Sequence, residues 1–121
     1  MKDKEDKLLN LRREKYLLEN EEDELKAQIR KIDEIMDDYH VKMKISEKKL
    51  NEDIDDLKGS RYYRKIGENI LEIKRDQAKV FASIQNISTK LHDQLVKNQR
   101  EQEDWEYEYL KVKKEDGENH G

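Results

Sequence analysis

The 121-residue sequence predicts an all-α fold, an elongated antiparallel two-helix hairpin of coiled-coil type. Three observations predict it. Charged residues make up 46% of the chain and hydrophobic ones 33%, so there is too little apolar material for a rounded core. Proline is absent, and Leu and Ile recur at regular spacing, which separates the chain from a disordered polyelectrolyte. The apolar positions form two long stretches of three-four spacing around a central Gly59-Ser60.

In the first half, Leu8, Leu11, Leu18, Leu25, Ile29, Ile32, Met36, Tyr39, Met43, Leu50 and Leu57 fall on one heptad frame. Such a stripe keeps one narrow edge of a helix facing a partner helix. Lys15, Glu22, Ser46 and Asp53 interrupt it. The frame predicts a first helix over about 4–57. In the second half, Tyr63, Ile66, Ile70, Ile73, Val80, Ile84, Ile87 and Leu91 form the stripe, with Gln77 intervening. Leu95, Asn98, Gln102, Trp105, Tyr109 and Val112 continue on a shifted frame. The steps from 87 to 91 to 95 predict a stutter, an inserted four that unwinds the supercoil locally. This second helix is expected over about 61–114, with a frayed tail at 115–121 where the pattern is lost.

Between the helices a hinge is expected at 58–60. Gly59 suits the left-handed residue that ends a helix, and Ser60 is a good N-cap for the next. The alternative is one helix running through Gly59, because a single Gly costs only ~1 kcal/mol in a helix interior. At 1.5 Å per residue each arm would span about 80 Å. Folding at the hinge pairs residues whose numbers sum to about 120. Leu57 then meets Tyr63, Leu50 meets Ile70, Met36 meets Ile84, Leu25 meets Leu95 and Leu8 meets Val112.

Charge and motifs exclude several functions. Residues 1–58 carry 14 basic and 18 acidic groups, and residues 59–121 carry 12 of each. Neither half offers a basic footprint for nucleic acid or for a membrane surface. There is no cysteine, so thiol chemistry is absent. The first residues lack an apolar signal segment, and no stretch is long and apolar enough to span a bilayer. The expectation is a protein made in the cytoplasm, with a signal-less export route open. Histidines occur at 40, 92 and 120. Asp33, Asp37 and His40 share a helix face and would hold a metal only with help from a second chain; a solvated charged face is the simpler reading. No phosphate loop, HExxH or nucleophile constellation is present. The chain is expected to be no enzyme, with no cofactor and no metal.

The remaining anomaly is apolar surplus off the stripes. Leu9, Tyr16 and Leu17 cluster near the open end of the first helix, with Tyr107 and Leu110 at the same level of the second. Ile35, Val41, Ile45, Ile54, Tyr62, Leu71 and Phe81 lie nearer the hinge. Contiguous exposed apolar surface marks an interface, whereas scattered exposure is harmless. Tyr16, Leu17, Tyr39, Phe81, Trp105 and Tyr109 are the expected partner anchors, aromatics being common hot spots. Seam packing is the simpler reading for Trp105 and Tyr109. A self-associating antiparallel four-helix dimer, in which each hairpin covers the other's spare stripe, is the alternative to a foreign partner.

Small charged helical hairpins with a mid-chain apolar-x-Gly turn resemble the WXG (ESX-like) superfamily of type VII secretion. Leu57-Lys58-Gly59 stands where that family has Trp-x-Gly, so the Trp is missing. Its C-terminal Tyr-x-x-x-acid export motif is missing too, since Tyr107 and Tyr109 are followed four places on by Lys111 and Lys113. Asp38-Tyr39-His40 and Ser60-Arg61-Tyr62-Tyr63 are similar to elements of the small helical LXG-associated (Lap) proteins of Gram-positive bacteria. That resemblance implies a targeting factor or chaperone that binds the helical N-terminal domain of an LXG toxin, and is exported with it or remains behind.

Overall fold

The computed structural model describes the backbone of residues 2–119 and the side chains of residues 3–115. Two helices account for nearly all of it, α1 (Lys2–Asp56) and α2 (Tyr63–Asn119), packed against each other as a hairpin. Among the described residues there is no strand.

The turn at 57–62 follows from its residues. α1 tightens as it ends, with the Leu57 and Lys58 amides donating to the Ile54 and Asp55 carbonyls three residues back. Gly59 then takes φ +89°, a left-handed conformation costly for any residue with a Cβ. The Ser60 amide donates to the Leu57 carbonyl at 2.9 Å, closing the turn. The Ser60 hydroxyl accepts the Tyr62 amide at 3.2 Å within the turn; α2 begins at Tyr63, with the Tyr62 carbonyl accepting the first helical bond from Ile66, so the N-cap expected at Ser60 falls two residues later.

α2 extends through Asn119, which corrects the tail expected from Glu115 onward; only the last two residues of that stretch fall outside the described region. Loss of the apolar pattern removes a packing stripe, but it does not break backbone hydrogen bonding, and one Gly at 117 is too weak a breaker.

Burial corrects the second-helix frame. From the buried Ile70 to the buried Val112, the less exposed positions of α2 are 70, 74, 77, 81, 84, 88, 91, 95, 98, 102, 105, 109 and 112. Steps of four and three alternate throughout, and the expected stutter is absent. Lys74, Phe81 and Ser88 occupy the seam, while Ile73, Val80 and Ile87 lie one place earlier and are exposed. The expected pattern puts these three β-branched residues in the seam. A continuous heptad avoids local unwinding, and the Lys74 ammonium reaches Glu47 at 3.9 Å from its seam position. On α1 the frame holds from Leu18 to Leu50 and then shifts, so that Ile54 rather than Asp53 is half-buried. Lys15 also leaves the seam for the surface.

The helices form two compact units. In the first, α1 up to Ile29 pairs with α2 from Lys90 onward. Its buried residues are Leu25, Ile29, Asn98 and Val112. In the second, residues 30–89 hold the turn, and Ile70 is the buried apolar residue. Cross-helix contacts in the first unit join Leu18 to Asn98 and Lys15 to Trp105, whose numbers sum to 116 and 120. In the second they join Tyr39 to Gln77 and Glu47 to Lys74, with sums of 116 and 121. Both units therefore keep a register close to 120.

Candidate protein-binding surfaces

Within the first unit, polar groups are threaded through the seam. Asn98 is only 1% exposed and donates from Nδ2 to the Leu18 carbonyl at 3.0 Å. Its Oδ1 accepts from Gln102 Nε2 at 2.6 Å, and Gln102 also donates to the Glu22 carboxylate. Lys26 closes the chain on Glu22 at 2.7 Å. The Lys26 ammonium and then the Gln102 amide hold the Glu22 carboxyl below the usual carboxylate range. One turn of the seam further on, Trp105 Nε1 donates to the Leu11 carbonyl at 2.6 Å. Tyr109 stacks on the Trp105 ring with centroids 4.9 Å apart, and the Lys15 ammonium lies 5.0 Å from the Trp105 centroid. Lys113, first, and Arg12 beside it pull the Tyr109 phenol below its usual value.

The six expected anchors therefore divide. Trp105 and Tyr109 are half-buried in the seam of the first unit, and Tyr39 and Phe81 in that of the second. The Tyr39 hydroxyl donates to the Gln77 carbonyl at 3.1 Å, and Phe81 meets the His40 ring at 6.4 Å. Tyr16 and Leu17 stand at the surface, each 65% exposed. Ile54 likewise leaves the surplus set for the seam.

Three surfaces of the two units carry unpartnered apolar groups. In the first unit, Leu9 and Tyr16 lie seven residues apart on α1. The register sets Leu9 opposite the exposed Leu110 of α2, which has Tyr107 three residues before it. On the other flank of the same unit, a groove of about 470 Å³ runs beside the seam. Leu11, Leu17, Leu18 and Trp105 form its floor, and Glu14, Glu101, Asp104 and Glu108 its rim. All four rim residues are exposed. No basic residue lines this groove. In the second unit, Ile73, Val80 and Ile87 make a stripe at i, i+7 and i+14, exposed by 42%, 46% and 49%. Ile35 on α1, 47% exposed, stands opposite Ile87 in the register, and Lys42 and Lys49 continue its line at the same spacing.

Neither the stripe nor the acidic rim stands out in the sequence. Three-four spacing places the stripe in the seam, and the rim is lost among many other acids, although Glu101 and Glu108 share a helix edge at i and i+7. Asp33, Asp37 and His40 are exposed on α1. Among the described residues no group of three or more His, Asp or Glu side chains could hold a metal ion, and no helix is long and apolar enough to cross a membrane. No known protein family, curated protein or solved structure matches the chain.

Proposed function

We propose that this chain is a non-enzymatic adaptor that binds a helix of another protein along the outer face of its first unit. The observation that carries the reading is the exposure of Tyr16, Tyr107 and Leu110, each over 60%, on a face that the hairpin seam does not use. Large apolar side chains grouped on an outer helical face suit an amphipathic helix laid alongside. Tyr16 is the anchor of this face, and Leu17 borders it through the hollow shared with Arg12, Arg13 and Tyr16. Trp105 and Tyr109 hold together the helices that present it, while Tyr39 and Phe81 pack in the seam of the second unit.

The proposed partner is the helical N-terminal domain of an LXG toxin, with the hairpin acting as targeting factor or chaperone for type VII export from the cytoplasm of a Gram-positive bacterium. Support for that identity is the resemblance at Asp38-Tyr39-His40 and Ser60-Arg61-Tyr62-Tyr63. The test is co-expression with the N-terminal domain of an LXG protein encoded beside this chain, followed by pull-down. Wild type is expected to capture it, and Tyr16→Ser combined with Leu110→Ser to lose at least about tenfold in affinity. Equal capture by both proteins would remove the proposed face, and no capture by wild type would remove the proposed partner.

A further inference from the structure

At the edge position that flanks each seam, the groove carries Glu14, Glu101 and Glu108 and the α1 side of the stripe carries Lys42 and Lys49, with the acids Asp38 and Asp76 set further from the seam; the two surfaces share an apolar character, and each is left uncovered within its own unit. The groove has an apolar floor that includes Leu17, beneath Glu14, Glu101, Asp104 and Glu108. The stripe presents Val80 and Ile87 beside Ile35, with Lys42 and Lys49 along the α1 edge.

We propose that the groove of one copy receives the stripe of a second copy of this chain. Glu14, Glu101 and Glu108 of the groove flank their seam at the same heptad position as Ile35, Lys42, Lys49 and the stripe residues, immediately before the first core position of each repeat, while Leu17 and Asp104 precede the second. Glu14 precedes position 15 as Lys42 precedes Met43, and Glu101 precedes Gln102 as Val80 precedes Phe81. Edge residues of this kind set the choice and orientation of helical partners. Glutamates in the groove would repel a second groove, and lysines beside the stripe would repel a second stripe. Only the unlike pairing brings Glu101 and Glu108 against Lys42 and Lys49 while burying Leu17 against Val80 and Ile87. The branched stripe residues are already ordered on a helix and lose little further freedom when covered.

This contact does not use the Tyr16–Tyr107–Leu110 face, so it stands or falls separately from the adaptor reading. Light scattering and native mass spectrometry of the full chain test it. Wild type is expected at twice its 14.7 kDa mass or at a higher multiple, because a groove-to-stripe contact leaves one groove and one stripe open on each pair, and it should dissociate as salt is raised. Glu101→Lys with Glu108→Lys should weaken association at least about tenfold, and so should Lys42→Glu with Lys49→Glu. Mixing these two double variants should restore the pair as a heterodimer, because each then offers the charge that the other lacks. Leu17→Ser, which leaves every charge in place, should also weaken the pair. Helicity by circular dichroism is expected to be unchanged in all of them, since every substituted side chain is exposed. A wild-type monomer, a dimer indifferent to both charge reversals, or a failure of the mixed variants to associate would each overturn the proposal.

Discussion

Asn98 of α2 donates through Nδ2 to the Leu18 carbonyl of α1 at 3.0 Å, in the most buried position of the first unit. The carbonyl sits on a helix and is offered only at fixed heights along it. An amide in an apolar seam therefore penalises a sliding of the helices, because a shifted Asn98 would be buried without its partner. Trp105 makes the same kind of bond to the Leu11 carbonyl, one heptad away on both helices.

Asn98→Ala is expected to lower unfolding stability by about 1–2 kcal/mol, through the lost hydrogen bonds to the Leu18 carbonyl and from the Gln102 amide, which keeps Glu22 as its other acceptor. Asn98→Leu should be neutral or stabilising in urea and yet broaden the register. Distances between spin labels at Lys26 and Asp93, both exposed, would report it. A single sharp distance in Asn98→Leu would show that the asparagine does not set the register.

Trp105→Phe keeps an aromatic ring against Tyr109 and deletes the donor to Leu11. Its expected cost is about 1 kcal/mol, the net worth of a typical hydrogen bond. Trp105 is the only tryptophan, so its fluorescence reports the first unit in the wild type, while circular dichroism is needed for the variant. A change below about 0.3 kcal/mol would mean that the bond adds nothing over a hydrated indole.

The hairpin, its turn at Gly59 and its register near 120 are open to reading in the sequence because they depend on coarse signals. These signals are long periodic stripes, one glycine with a serine after it, and equal arm lengths. The phase of the second stripe is not. Ile73 and Lys74 are adjacent, and hydropathy alone places the isoleucine inside. What decides is a set of distant contacts, Tyr39 with Gln77 and Glu47 with Lys74, which a single-helix pattern does not contain. The anchors fail to separate for the same reason. Tyr39 and Tyr16 look alike in sequence, but one hydroxyl finds a carbonyl across the seam and the other ring stays outside.

The corrected frame makes a paired prediction. Lys74→Ile and Ser88→Leu place apolar groups at half-buried seam positions and should each raise stability by about 0.5–1 kcal/mol. Ile73→Ser and Ile87→Ser alter half-exposed flanking positions and should each cost less than about 1 kcal/mol in the monomer. Urea midpoints measured below the association range distinguish the frames. Ile73→Ser costing as much as a fully buried isoleucine would restore the stuttered seam.

Glu22 predicts an acid dependence. Its carboxyl is held below the ordinary carboxylate range by Lys26 and Gln102 in the folded chain. A carboxylate lowered on folding adds stability above its unfolded pKa, and that stability is lost as pH falls from the unfolded value through the lower folded one. Glu22→Gln should therefore flatten the stability profile between neutral and acid pH, and its difference from wild type should shrink below the folded pKa. Parallel profiles for the two proteins across that window would show that Glu22 is not linked to folding.

Two glycines should respond in opposite directions to the same substitution. Gly59 sits at φ +89°, and a Cβ there would find nothing within 4 Å, so Gly59→Ala meets no steric neighbour and suffers only from its backbone. The left-handed conformation should make it about 1–2 kcal/mol less stable. Gly67 lies inside α2, and a Cβ there would meet Ile54 Cδ1 at 4.0 Å, an ordinary contact. Gly67→Ala should then stabilise by up to about 1 kcal/mol, from helix propensity and a slightly fuller seam. Thermal melts of the two variants and wild type decide the matter. Stabilisation by Gly59→Ala would mean that the chain prefers to continue α1 through the turn, and the hairpin would lose the residue that bends it.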